Sequence, residues 1–107
     1  EFFMTTQLTT ETFAKAIQNG VSLIDFGAQW CPPCRMMEPV VEELSKDFDG
    51  KATIAQVDVD QSQDLANLFG IRSIPTMVIF KDGKPVDALV GVHPKQTLME
   101  KIQAQLS

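Results

Sequence analysis

Two cysteines three positions apart, Cys31 and Cys34, carry the chemical capacity of this chain, and it has no others. They enclose Pro32 and Pro33 and follow the single tryptophan, Trp30. The stretch lies where strand-like Val21 to Phe26 gives way to a helix-like run from Arg35 to Phe48. With residues from 34 onward helical, the sulfurs stand one turn apart on one face, close enough to bond with little backbone movement. Cys31, just outside the helix, meets backbone N–H groups without intrahelical partners and the positive end of the dipole. Both favour thiolate over thiol, moving a pKa of about 8.5 toward roughly 3.5–7.5. A nucleophilic sulfur with a second sulfur in reach is a thiol–disulfide exchange site.

Other uses of two cysteines fit the pattern less well. A structural zinc site takes about four ligands, and the chain offers two Cys and one His, His93. A permanent structural disulfide between these residues closes a very short loop and constrains little of the unfolded chain. Inert buried thiols are poorly served by prolines at a helix entrance.

The elements around the pair follow from periodicity. Thr6 to Leu8 reads as a short strand, with Thr9 or Thr10 capping a helix that buries Phe13, Ala14 and Ile17. Val21 to Phe26 is nearly all apolar, as in a strand covered on both faces. Met37, Val40, Val41, Leu44 and Phe48 form a helical stripe with Glu38, Glu42, Glu43 and Lys46 opposite. The methionines here read as core filling, and Pro39 should kink the helix. Thr53 to Val59 is a third strand, followed by a short helix capped by Asp60 or Ser62, running through Leu65, Leu68 and Phe69 and closed by Gly70. Thr76 to Phe80 is the most strand-like run, and Lys81-Asp82-Gly83-Lys84 turns it back into Val86 to Val90. A last helix starts at Pro94 and carries Leu98, Ile102 and Leu106. This alternation predicts an α/β fold with a partly parallel sheet.

At 107 residues the chain makes one domain. A formal charge of −5 without a basic cluster argues against nucleic acid and anionic membranes. No apolar run reaches the ~18–20 residues of a membrane span, and no signal-peptide pattern opens the chain. Both cysteines fall in one motif, which argues against a secreted disulfide framework. The expected location is the cytoplasm. Residues 1–3, Glu1-Phe2-Phe3, read as an expression-vector remnant, with residues 4–107 the domain and Met4 its start; without Glu1 the charge is −4.

Three positions near the motif take on meaning from their surroundings. Asp25 interrupts an apolar strand six residues before Cys31. Burial should raise its pKa, leaving it neutral near pH 7. It then either exchanges a proton with Cys34, directly or through one water, or simply bonds a neighbouring amide. Ile74-Pro75-Thr76 reads locally as an ordinary strand entry, since only about 5–6% of X–Pro bonds are cis. Trp30 could pack in the core or shield the sulfur pair. Gly91-Val92-His93-Pro94 reads as a turn, with His93 a surface residue.

Asp25-Phe26-x-Ala28, Trp30-Cys31-x-Pro33-Cys34, Pro39, Ile71-Arg72-Ser73-Ile74-Pro75-Thr76 and Lys81-Asp82-Gly83 together closely resemble the thioredoxins. The resemblance runs from Leu8 to Leu106. It implies a thioredoxin fold: a central mixed five-stranded sheet, first three strands parallel and last two antiparallel, flanked by four helices. It implies that Cys31 attacks, Cys34 resolves and Asp25 assists Cys34. It matches Pro75 to a cis-proline beside which Ile74 offers backbone hydrogen bonds to an extended substrate. Trp30, Ile74, Gly91 and Val92 then form an apolar rim for the substrate disulfide. The implied activity is reduction of protein disulfides, with no bound cofactor, by a monomer that takes electrons from NADPH through a thioredoxin reductase. A redox-idle binding or chaperone module on the same scaffold is the alternative.

Three residues depart from the family pattern. Pro32 replaces a Gly, giving a Cys-Pro-Pro-Cys turn in which only the N–H groups of Cys34 and Arg35 remain to face Cys31. Gly27 replaces an aromatic ring, which should loosen packing beside the site. Gln56 replaces a Lys that would lower the Asp25 pKa.

Overall fold

A computed structural model describes residues 5–107 of the chain, so the expected remnant and start, Glu1 to Met4, lie outside the described residues. The elements are β1 (Gln7–Leu8), α1 (Thr10–Ile17), β2 (Val21–Gly27), α2 (Pro32–Asp47), β3 (Thr53–Asp58), α3 (Gln63–Leu68), β4 (Thr76–Lys81), β5 (Lys84–Val90) and α4 (Lys95–Leu106). The strands form one sheet in the order β1-β3-β2-β4-β5. β1 and β2 run parallel to β3, and β4 runs antiparallel to both β2 and β5. This is the expected mixed five-stranded sheet with four helices.

β2 is the central strand, and every one of its residues is buried. Alternation divides them between two cores. Val21 and Leu23 join Met37, Val41 and Leu44 of α2 and Leu98 and Ile102 of α4 on one face. Ile24 and Phe26 join Phe13 of α1 and Leu65 of α3 on the other. That second core is aromatic: Phe13, Phe69 and Phe80 meet pairwise with ring centroids 5.2–5.6 Å apart. Such tilted and edge-on contacts add about 0.5–1.5 kcal/mol per pair to simple burial. The period of two therefore sends Asp25 to the face covered by α2.

The hairpin forms as its sequence predicts. Asp82 and Gly83 have φ of 50° and 85°, the pair of left-handed residues that suits the twist of adjacent strands. Asp82 also accepts from the Gly20 N–H through Oδ1 and donates its own N–H to the Gly20 carbonyl, both at 2.8 Å. α2 stays helical through Pro39.

Four expectations need correction. α2 begins at Pro32, not near Cys34, because both prolines fit a helix's first turn, where N–H groups have no partner to lose. Ala14, read into the buried stripe of the first helix, is exposed; in α1 only Phe13 and Ile17 are buried. Of the two methionines of α2 read as core filling, Met37 is buried but Met36 is 63% exposed. Glu38, assigned to the solvent face of α2, is only 5% exposed.

Candidate active site

Cys31 is the N-cap of α2, and Pro32 and Pro33 fill the first two helical positions. The Cys34 N–H points at Cys31 Sγ, 3.2 Å away. The Arg35 N–H does not: it donates to the Cys31 carbonyl at 3.1 Å, as the first helical bond. Of the two donors expected to face the sulfur, only that of Cys34 does so. Cys31 and Cys34 are joined as a disulfide with Cα atoms 5.2 Å apart. Both sulfurs are buried, and with Ala28 they form a small apolar cluster against Val59 and Ile74.

Around the pair lie the remaining motif residues. The Ile74–Pro75 bond is cis, the form implied by the resemblance and not by the local sequence. Cys31 Sγ lies 3.8 Å from the Ile74 carbonyl oxygen, and the Gly91 N–H donates to the Pro75 carbonyl at 2.8 Å. That bond ties the 91–92 turn to the cis-proline segment. Trp30 is not a core residue: it is 67% exposed, with its indole Nε1–H donating to Asp60 Oδ2 at 2.7 Å. Val92 is exposed, whereas Ile74 and Gly91 are half-buried.

Asp25 sits beneath this surface, fully buried, and its pKa is raised from the ordinary carboxylate value of 3.8 to about 7. Desolvation is the main cause; the Gln56 amide opposes it by donating to Asp25 Oδ2 at 3.2 Å, and the Glu38 charge adds to it. Both readings of Asp25 thus find geometry here, since Oδ2 bonds an amide while Oδ1 has no partner among the described residues. Gly27 faces the same spot. A Cβ on Gly27 would stand 3.3 Å from Cys34 Sγ and Cβ, and 3.9 Å from Asp25 Oδ1. The expected looseness is therefore absent at Gly27 itself, where even a methyl group would crowd Cys34.

Two contributors escaped the sequence. Asp60, which holds the Trp30 ring, gave no signal across thirty positions. Glu38 did give one, because it follows Cys34 by four residues and so shares its helix face. Among the described residues, no three His, Cys, Asp or Glu side chains gather to hold a metal ion.

A disulfide at a helix N-terminus, a cis-proline beside it and a buried carboxyl behind it bring the comparisons with known proteins into focus. The thioredoxin family profile matches residues 4–104. The chain belongs to the thioredoxin family. A thioredoxin from Staphylococcus saprophyticus is 50% identical over 100 residues, covering 94% of this chain and 96% of that protein. A thioredoxin from Staphylococcus aureus is 45% identical over the same coverage. A mutant thioredoxin from Halobacterium salinarum NRC-1 has a solved structure that superposes with a TM-score of 0.89 at 38% identity, covering 95% of this chain and 90% of that one. The protein is a thiol–disulfide oxidoreductase acting on protein disulfides, and Cys31 and Cys34 lie close enough to interchange dithiol and disulfide.

Proposed function

We propose that this thioredoxin domain, residues 4–107, works in the cytoplasm as a monomeric reductase with a Cys-Pro-Pro-Cys active-site turn. The observation that carries it is the pairing of Cys31 Sγ with the Cys34 N–H at the start of α2. In the reduced protein that N–H and the helix dipole stabilise a Cys31 thiolate. The thiolate attacks a substrate disulfide; the substrate S–S bond breaks, one substrate sulfur leaves as thiolate, and Cys31 is held as a mixed disulfide. Cys34 then gives its proton to the Asp25 carboxylate and attacks Cys31 Sγ. The second substrate thiol leaves, and the domain is left oxidised. Two thiols of the domain become one disulfide, and one substrate disulfide becomes two thiols.

The shared crowding of Cys34 Sγ and Asp25 Oδ1 around Gly27 supports the proton path. A group with a pKa of about 7 both accepts and returns a proton efficiently at neutral pH. Trp30, Ile74, Pro75, Gly91 and Val92 form the rim that receives the substrate, an assignment supported by the Ile74 carbonyl lying 3.8 Å from Cys31 Sγ and by the Gly91 N–H bond to the Pro75 carbonyl. Pro32 and Pro33 stiffen the turn between the sulfurs. Electrons reach the disulfide from NADPH through a thioredoxin reductase, and no organic cofactor or metal is bound by the domain itself.

An insulin-reduction assay tests the assignment. Cys31→Ser abolishes turnover, and Cys34→Ser stops at a trapped mixed disulfide. Normal turnover by Cys34→Ser overturns it.

A further inference from the structure

Glu38 and Asp25 are brought together by one side chain. Gln56 Nε2 donates to Asp25 Oδ2 and also to Glu38 Oε2. The other end of the amide is fixed, because Thr5 Oγ1 donates to Gln56 Oε1 at 2.6 Å. Gln56 is fully buried and Asp25 and Glu38 nearly so. Two acceptors on one nitrogen lie at most about 6 Å apart, a separation at which like charges in a protein interior repel substantially.

The other groups on this face are few. From α2 come Cys34 and Glu38; from β3, Gln56 and, one pleat onward, Asp58, whose Oδ1 accepts from the Asp60 N–H. β4 places the uncharged Met77 opposite Asp25, and α4 adds Leu98 and Ile102.

We propose that Glu38 is a positioning residue for disulfide exchange: held on the second hydrogen of the Gln56 amide, its carboxylate faces Asp25 and adds to the hold that burial gives Asp25 on its proton. This rests on the assignment of Asp25 as the proton carrier for Cys34. The amide nitrogen has two hydrogens, one for each carboxyl, so Glu38 leaves the Asp25 bond in place and contributes a negative charge close to the Asp25 carboxylate. That charge disfavours ionised Asp25. An amide in place of the Glu38 carboxylate keeps the volume and removes the charge.

The test pairs a titration with a rate. The Asp25 carboxyl is titrated by carbon-detected NMR in the oxidised protein, for wild type, Glu38→Gln and Glu38→Ala. Single-turnover reduction of dithiobis-nitrobenzoate, which releases one thionitrobenzoate at the Cys31 attack and a second at the Cys34 step, is followed against pH. In both Glu38 variants the Asp25 proton affinity falls about tenfold, and the acid limb of the second release moves to lower pH by the same amount. A merely structural role leaves both midpoints in place. An Asp25 midpoint that stays put or rises in the two variants overturns the proposal, while slowing of the second release by Asp25→Asn keeps the Asp25 assignment standing. A second release unaffected by Asp25→Asn overturns that assignment and the proposal with it.

Discussion

Asp25 carries a thermodynamic cost as well as a chemical role. In the unfolded chain it ionises near 3.8, and in the fold near 7. Below both values the proton is bound in either state and Asp25 does not affect stability. Between them the folded protein keeps a proton that the unfolded chain has lost, so stability falls as pH rises through this window. Above about pH 7 the cost is complete, at most about 4 kcal/mol. Asp25→Asn is therefore expected to stabilise the oxidised protein more at pH 9 than at pH 5 in urea unfolding. An equal effect at both pH values rules this out. The raised pKa was legible in the sequence, because a lone Asp in an apolar strand has little but desolvation around it. The Gln56 bridge to Glu38 was not: no spacing rule joins positions 38 and 56, and acidic residues on a helix ordinarily face water.

At the scale of the element, the entrance to α2 determines how the nucleophile is held. Pro32 stands at the first helical position, whose N–H seldom reaches an N-cap side chain; caps accept from the second or third position. Restoring an N–H with Pro32→Gly is thus expected to shift the pH midpoint of Cys31 alkylation by less than about half a unit. A drop of a full unit in iodoacetamide labelling of the reduced protein means that donor does reach the sulfur. The hairpin is similarly local. Gly83 holds φ at 85°, so Gly83→Ala is expected to cost about 1 kcal/mol or more, read as a lower urea midpoint at unchanged slope. Turn chemistry made this element visible from two residues. α3 was harder to read: Leu68 shares a helix face with Leu65, yet at the last position of this six-residue helix it is 73% exposed while Leu65 is buried.

Across the whole molecule, one sheet separates two cores, and the site lies over the end of β2 where that strand meets α2. Alternation along β2 explains how far the sequence could be read: the apolar run announced a central strand, and its one acid marked the face beneath the cysteines. Leu98, fully buried in the core shared by α2, α4 and the sheet, tests whether that core supports the active-site helix. Leu98→Ala is expected to lower stability by about 2–5 kcal/mol, with disulfide reduction intact while the fold persists. Loss of activity at full folding by circular dichroism speaks against two separable roles for that face.

The clasp between Trp30 and Asp60 has an optical consequence. The only indole in the chain is pinned by its nitrogen beside the sole sulfur–sulfur bond. Disulfides drain excitation from nearby indoles, so emission should brighten when the bond opens and dim when it closes. The domain would then signal its own electron count without any added dye, and Asp60→Ala, which removes the acceptor that holds the ring, would blunt that signal.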